Sequence, residues 1–243
     1  FAAAYSLYGG LSAVAWTDVI QVVFLVLGGL ATTYLALDQV SGGQGLIEGL
    51  KVIYDRVPEK FVMILEESNP EYVNLPGIGV LVGGMWVANL YYWGFNQYII
   101  QRTLAAKSLK ESQKGILMAA LLKLVIPLIV VIPGIAAFVM VNDPEIMASL
   151  GDLAKNNIPT LEAADKAYPW LLQFLPAGFK GIAFAALAAA IVSSLASMLN
   201  STSTIFTMDI YKPYVNPKAS NKQTVRTGRV TAAVALLIAV LIA

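Results

Sequence analysis

Gly115 to Val141 reads GILMAALLKLVIPLIVVIPGIAAFVMV, a run in which Lys123 is the only ionisable residue. A helix needs about 20 apolar residues to cross a bilayer, and this run exceeds that length. It is therefore read as a membrane span. Three more stretches have the same character, about 14–37, 78–100 and 181–208, and a fifth, 230–243, begins one but is cut short. None looks like a signal peptide, because each full stretch is too long and no small-residue cleavage pattern follows. The chain starts at Phe1 without Met and stops inside an apolar run, so the sequence is expected to be an internal piece of a longer protein.

Composition agrees with lipid as the solvent: 58% of the 243 residues are hydrophobic and 13% charged, with a mean hydropathy of +0.69. A soluble domain has about 25% charged residues. Cys and His are both absent, which excludes thiolate and imidazole metal sites, Cys nucleophiles and Ser-His-Asp triads. Sixteen basic residues stand against 15 acidic ones. A net charge of +1 offers nucleic acid no bulk attraction, and none is expected as a partner.

The charges alternate in sign between connections. Segment 38–75 carries Asp38, Glu48, Asp55, Glu59, Glu66, Glu67 and Glu71 against three bases, and 142–168 carries five acids against two. Segment 101–114 carries Arg102, Lys107, Lys110 and Lys114 against Glu111, and 209–229 carries five bases against Asp209. Basic connections stay on the cytoplasmic side. Segments 101–114 and 209–229 are thus inner loops, and 38–75 and 142–168 outer loops. The second outer loop is expected to hold short helices over Pro144–Leu153 and Leu161–Lys166. The fold class is all-α and polytopic, one transmembrane domain over 1–243, multi-pass in the plasma membrane.

Ionisable groups at membrane depth are rare and mark function. Asp18 and Lys123 are the two. Pro127 has no N–H for the carbonyl of Lys123, so a break is expected there. Asp18 follows Trp16 and Thr17 at the inner start of the first span, where an acid also caps a helix. In the second span Pro76, Gly77, Gly79, Gly83 and Gly84 suggest a discontinuous helix, and Gly79 with Gly83 suits close helix packing. Beyond them Asn89 aligns with Tyr92, Trp93 and Asn96. An amide beside aromatic rings suits a sugar, with hydroxyls at its edge and C–H groups on its faces. In the fourth span Gly181, Ala185, Ala189, Ser193, Ser197 and Ser201 recur every four residues. That stripe allows a second helix to approach closely and sets Ser193 and Ser194 beside the Ala190 carbonyl, a set of oxygens that fits either packing or a small hard cation.

Three motifs, taken together, resemble one family. They are Gly9-Gly10-Leu11 with Ala13 through Gln21, Asn96-Gln97-Tyr98-Ile99-Ile100-Gln101-Arg102-Thr103-Leu104-Ala105-Ala106-Lys107, and Ser193-Ser194-Leu195-Ala196-Ser197 leading through Asn200-Ser201 to Phe206-Thr207-Met208-Asp209-Ile210-Tyr211. They are similar to the sodium:solute symporter family, and most like its sodium/glucose branch. The resemblance implies the inverted-repeat fold of five plus five helices, of which about five are present here. It implies sodium as the coupling ion and galactose or glucose as the solute. Ala190, Ser193 and Ser194 match the family's sodium site, and Asn89 and Lys123 its sugar ligands. Tyr92 matches the inner gate that also covers the sugar, with Trp93 its neighbour, and Asp18 an acid on the sodium exit path. A homodimer is compatible with it. A symporter for another small solute is the nearest alternative. A Ser-Lys intramembrane hydrolase, pairing Ser193 or Ser194 with Lys123, is the remote one, and no Gly-x-Ser-x-Gly turn supports it. The protein is thus expected not to be an enzyme. A sodium channel would require rings of acids that these spans lack.

Overall fold

The computed structural model describes residues 2–73 and 77–242. Five helices among them are long and apolar enough to cross a membrane: Gly9–Val40, Gly77–Phe95, Leu109–Asn142, Ala177–Val215 and Asn221–Ile242. The described residues hold helices and turns and no strands, as an apolar solvent requires of an open chain, since a helix satisfies its own backbone groups.

The first helix, Ala2–Val40, breaks at Gly10, whose φ of 57° and ψ of −152° lie outside the range of any helix. Such a positive φ favours glycine. Asp18 therefore sits two turns into the segment beyond the break, and the first-turn cap expected of it does not apply.

Gly77–Phe95 alternates between α-helical and π-helical backbone, with π turns over Val80–Gly84 and Tyr91–Phe95. Insertions of this kind are frequent at functional sites. The segment ends earlier than its apolar run implies. Asn96 is extended (φ −82°, ψ 108°), and its side chain accepts a hydrogen bond from Tyr98 N, capping a separate helix, Gln97–Leu104. The discontinuity thus lies at Asn96 rather than at Gly79, Gly83 or Gly84, where the backbone stays helical through the π turn, and Pro76 falls outside the described residues. A Cβ at Gly79, Gly83 or Gly84 would meet no described atom within 4 Å, so the close packing expected of those glycines is not realised among the described residues.

The third span breaks where Pro127 requires it. Leu109–Lys123 ends at Lys123, Leu124 and Val125 form a turn, and Ile126–Asn142 resumes the helix. The fourth runs on past its apolar limit, as α-helix over Ala177–Ile205 and π-helix over Phe206–Val215. Its successor starts at Asn221 rather than at Val230, so Lys222, Arg226 and Arg229 lie on a helix. Outside the spans, Leu46–Arg56 is a helix that apolar run length did not reveal. Its counterpart after the third span, Pro144–Ser149, is shorter than expected, and Ala167–Leu172 adds one more helix.

The chain divides into two compact units. The first gathers Phe1–Val23, Ala88–Ile116 and Leu187–Ala243, and the second Phe24–Val87 and Leu117–Ala186. The second holds the larger apolar core, in which Leu37, Val40, Ile53, Ile135, Val139, Met140 and Trp170 are buried. Trp170 donates its indole N–H to Ala154 O at 2.9 Å, which satisfies the one polar atom of a buried ring. Leu46–Arg56 fits against the end of the first span because residue 49 is glycine. A Cβ there would come within 2.2 Å of Leu37 O. At the rim, Arg56 Nη1 lies 2.6 Å from Oδ2 of the buried Asp143, whose Oδ1 caps Pro144–Ser149 by accepting from Glu145 N and Ile146 N.

Candidate functional site

Three helices of the first unit bring polar side chains together. The stripe Ser193, Ser197, Ser201 faces inward on the fourth span, with Ser197 and Ser201 buried. Asp18 comes from the first span. Tyr98, Gln101 and Arg102 come from Gln97–Leu104, at positions i, i+3 and i+4, so they share one helix face.

Asp18 is the centre of this arrangement, with its side chain 16% exposed. Its Oδ2 accepts from Arg102 Nε at 3.0 Å and Nη2 at 2.5 Å, and its Oδ1 accepts the hydroxyl proton of Ser193. Arg102 Nη2 also donates to Ser197 Oγ, and Nη1 to Tyr98 O at 3.3 Å. Tyr98 OH lies 3.5 Å from Ser194 Oγ. Gln101, itself buried, donates through Nε2 to Ser197 O at 3.2 Å and accepts from Asn200 Nδ2 at 2.7 Å. A charged pair bonded on every side in this way is sustainable in a low-dielectric setting, where an unpaired charge is not.

A hydroxyl has one proton and two lone pairs. Ser193 spends its proton on Asp18, leaving its lone pairs to face any cation. Ala190, one turn earlier on the same helix, adds a carbonyl to Ser193 and Ser194. No group of three or more acids placed to hold a metal ion occurs among the described residues, so the oxygens on offer here are mostly neutral ones. Asn200 links this network to a cavity of about 440 Å³ lined by Ser203, Thr204, Thr207, Thr224 and Arg229, all within the same unit.

Asn89 lies in the α-helical stretch Met85–Leu90, and Tyr92 and Trp93 in the π turn that follows it. The two rings stand edge to face, with centroids 5.3 Å apart and planes at 82°. Tyr92 is 38% exposed. Lys123 belongs to the second unit, where it closes the helix Leu109–Lys123.

The sequence singles out Asp18 and the serines, whereas Arg102 enters only as an inner-loop charge and as a member of the second motif, with no role of its own. The signal was the 98, 101, 102 spacing directly after a residue able to cap a helix. Apolar run length carries the second span to Ile100 and masks that spacing.

Across all of residues 1–243 the sequence matches the sodium:solute symporter family. The chain belongs to that family. Among curated members it is 66% identical to the sodium/glucose cotransporter of Vibrio parahaemolyticus over its whole length, which is 45% of that protein. It is 36% identical to the human sodium/myo-inositol cotransporter 2 over 98% of this chain and 36% of that one. The chain thus spans less than half the length of these relatives. Among solved structures it resembles a Na+-coupled sialic acid symporter in a substrate-bound outward-open state, with a TM-score of 0.77 and 25% identity over 96% of this chain and 46% of that one. Family membership and five membrane-length helices make this a multi-pass membrane protein with the inverted-repeat symporter fold. The family is one of transporters, and the likeness spans all three motifs.

Proposed function

We propose that the protein imports a monosaccharide, galactose or glucose, by alternating access, driven by sodium ions that enter with it. The observation that carries this reading is the 66% identity to a sodium/glucose cotransporter, a match that runs over the entire chain.

Sodium binds the Ser193 and Ser194 hydroxyls and the Ala190 carbonyl, bracing the fourth span and favouring the outward-open state. Sugar and sodium affinities are then coupled reciprocally, each raising the other by the same factor. Asn89 and Lys123 bind sugar hydroxyls, and the Tyr92 ring covers the sugar from the inner side, supported edge-on by Trp93. When the protein turns inward, sodium leaves past Asp18 and Tyr92 swings away. An inward gradient drives the cycle because each elementary charge crossing 100 mV is worth about 2.3 kcal/mol.

The human relative favours a second reading, in which the solute is a cyclic polyol such as myo-inositol. An amide, an ammonium and a ring recognise either ligand. Uptake of labelled galactose, glucose and myo-inositol by proteoliposomes of the full-length protein separates them. Accumulation of a hexose under an inward sodium gradient, and not under potassium, is the expected result. Uptake indifferent to sodium overturns the proposal.

A further inference from the structure

Arg102 has no part in the transport steps above, yet it is the most heavily bonded cation among the described residues of the first unit. Its guanidinium occupies Oδ2 of Asp18 through two N–H groups, at 3.0 and 2.5 Å, and is anchored on the far side by Ser197 Oγ and Tyr98 O. The other Asp18 oxygen holds Ser193, one of the serines proposed to bind sodium. One carboxylate therefore touches both a fixed cation and a ligand of the mobile one.

Electrostatics decides what this does. A bare carboxylate in contact with a sodium ligand, at 16% exposure, would hold a cation tightly, because Coulomb attraction grows as water is removed. A tight hold is wrong for a transporter, which must release the ion on every cycle. With Arg102 in place the Asp18 and Arg102 charges cancel. Sodium on Ser193 then meets a polarised hydroxyl rather than a net negative charge. Arginine suits the task, since its planar fork stays charged and binds a carboxylate through two N–H groups, whereas lysine offers a point charge on a flexible stem.

We propose that Arg102 is a tethered counter-ion that competes with sodium for Asp18, keeping sodium affinity low enough for release toward the cytoplasm. It is a positioning residue, acting on sodium through Asp18. The inference rests on the assignment of Ser193 to the sodium site.

The experiment is 22Na+ binding to the purified full-length protein in detergent. Arg102→Gln should lower the sodium concentration for half-saturation by on the order of fivefold, a usual size for coupling between sites. Arg102→Lys, which keeps a cation over Asp18, should give a smaller shift in the same direction, and Ser197→Ala, which removes one anchor of the guanidinium, likewise. Adding Asp18→Asn to Arg102→Gln should abolish the gain. A merely structural role would weaken binding instead. The proposal is overturned if Arg102→Gln leaves half-saturation unchanged or raises it, or if the double variant keeps the gain. Should Arg102→Gln not fold, Arg102→Lys and Ser197→Ala decide in the same way: a downward shift supports the counter-ion, and no shift or an upward one removes it. If the wild-type protein binds no 22Na+, the transport reading itself falls, an outcome distinct from wild-type binding that Arg102 variants fail to alter.

Discussion

Ser193 has a single hydroxyl proton, and it goes to Asp18. The consequence is an oxygen whose lone pairs remain available to the sodium ion proposed to bind there. Ser193→Ala removes that oxygen and leaves Asp18 still paired with Arg102. Half-saturating sodium should then rise roughly tenfold, about 1.4 kcal/mol, the scale of one bond to a charged group. Sodium titration of sugar uptake in proteoliposomes checks it, and an unchanged midpoint would remove Ser193 from the ion site. Tyr92 makes a different prediction. Its value to the sugar lies in the ring, so Tyr92→Phe should retain most transport while Tyr92→Ala loses most of it. Equal activity in both variants would dissociate the ring from the solute. At this scale the sequence was readable wherever a residue was out of place for its environment, as Asp18 and Lys123 are in lipid. Arg102 was not readable, because a basic residue near an inner loop is where basic residues belong. Only the pairing with Asp18, 84 positions earlier in the chain, distinguishes it.

Helix breaks divide into those with a local cause and those without. The break after Lys123 follows from Pro127, which has no N–H to donate. The break at Asn96 depends on a side chain accepting Tyr98 N, and no feature of apolar run length announces it. The π turn at Tyr91–Phe95 is equally silent in the sequence, since it adds no unusual residue, yet it sets the perpendicular Tyr92 and Trp93 pair. Leu46–Arg56 went unread because its amphipathic pattern is short and lies in a loop defined by its acids. Packing makes it stable: Gly49 touches Leu37, and Ile53 is fully buried with Trp170 in one core. Trp170→Ala leaves a cavity and an unsatisfied Ala154 carbonyl, with an expected loss of about 3 kcal/mol. A thermal melt of the detergent-solubilised protein should show a clear drop in midpoint, and a midpoint equal to wild type would mean that this core carries little of the stability.

The alternation of charge along the chain is what assigns a side of the membrane to each connection, with the basic segments 101–114 and 209–229 expected inside. The sequence contains no cysteine, so single cysteines can report sidedness directly. Cysteine at Glu67 or Asp152 should react with a membrane-impermeant maleimide added to intact cells, while cysteine at Lys114 or Lys218 should react only after permeabilisation. Reversed labelling would invert the assigned topology. The positive-inside reading depends on sums of charge rather than on any single contact, and this labelling is its test; what the structure bears out at this scale is the set of five membrane-length helices. Sodium coupling, as proposed, belongs to the full-length protein, in which sodium and sugar would cross together. The most direct measurement is 22Na+ influx into proteoliposomes of the full-length protein, with and without external galactose or glucose. Sugar should accelerate 22Na+ entry in the wild type and fail to do so after Ser194→Ala; sugar entering with no accompanying 22Na+ would contradict the account.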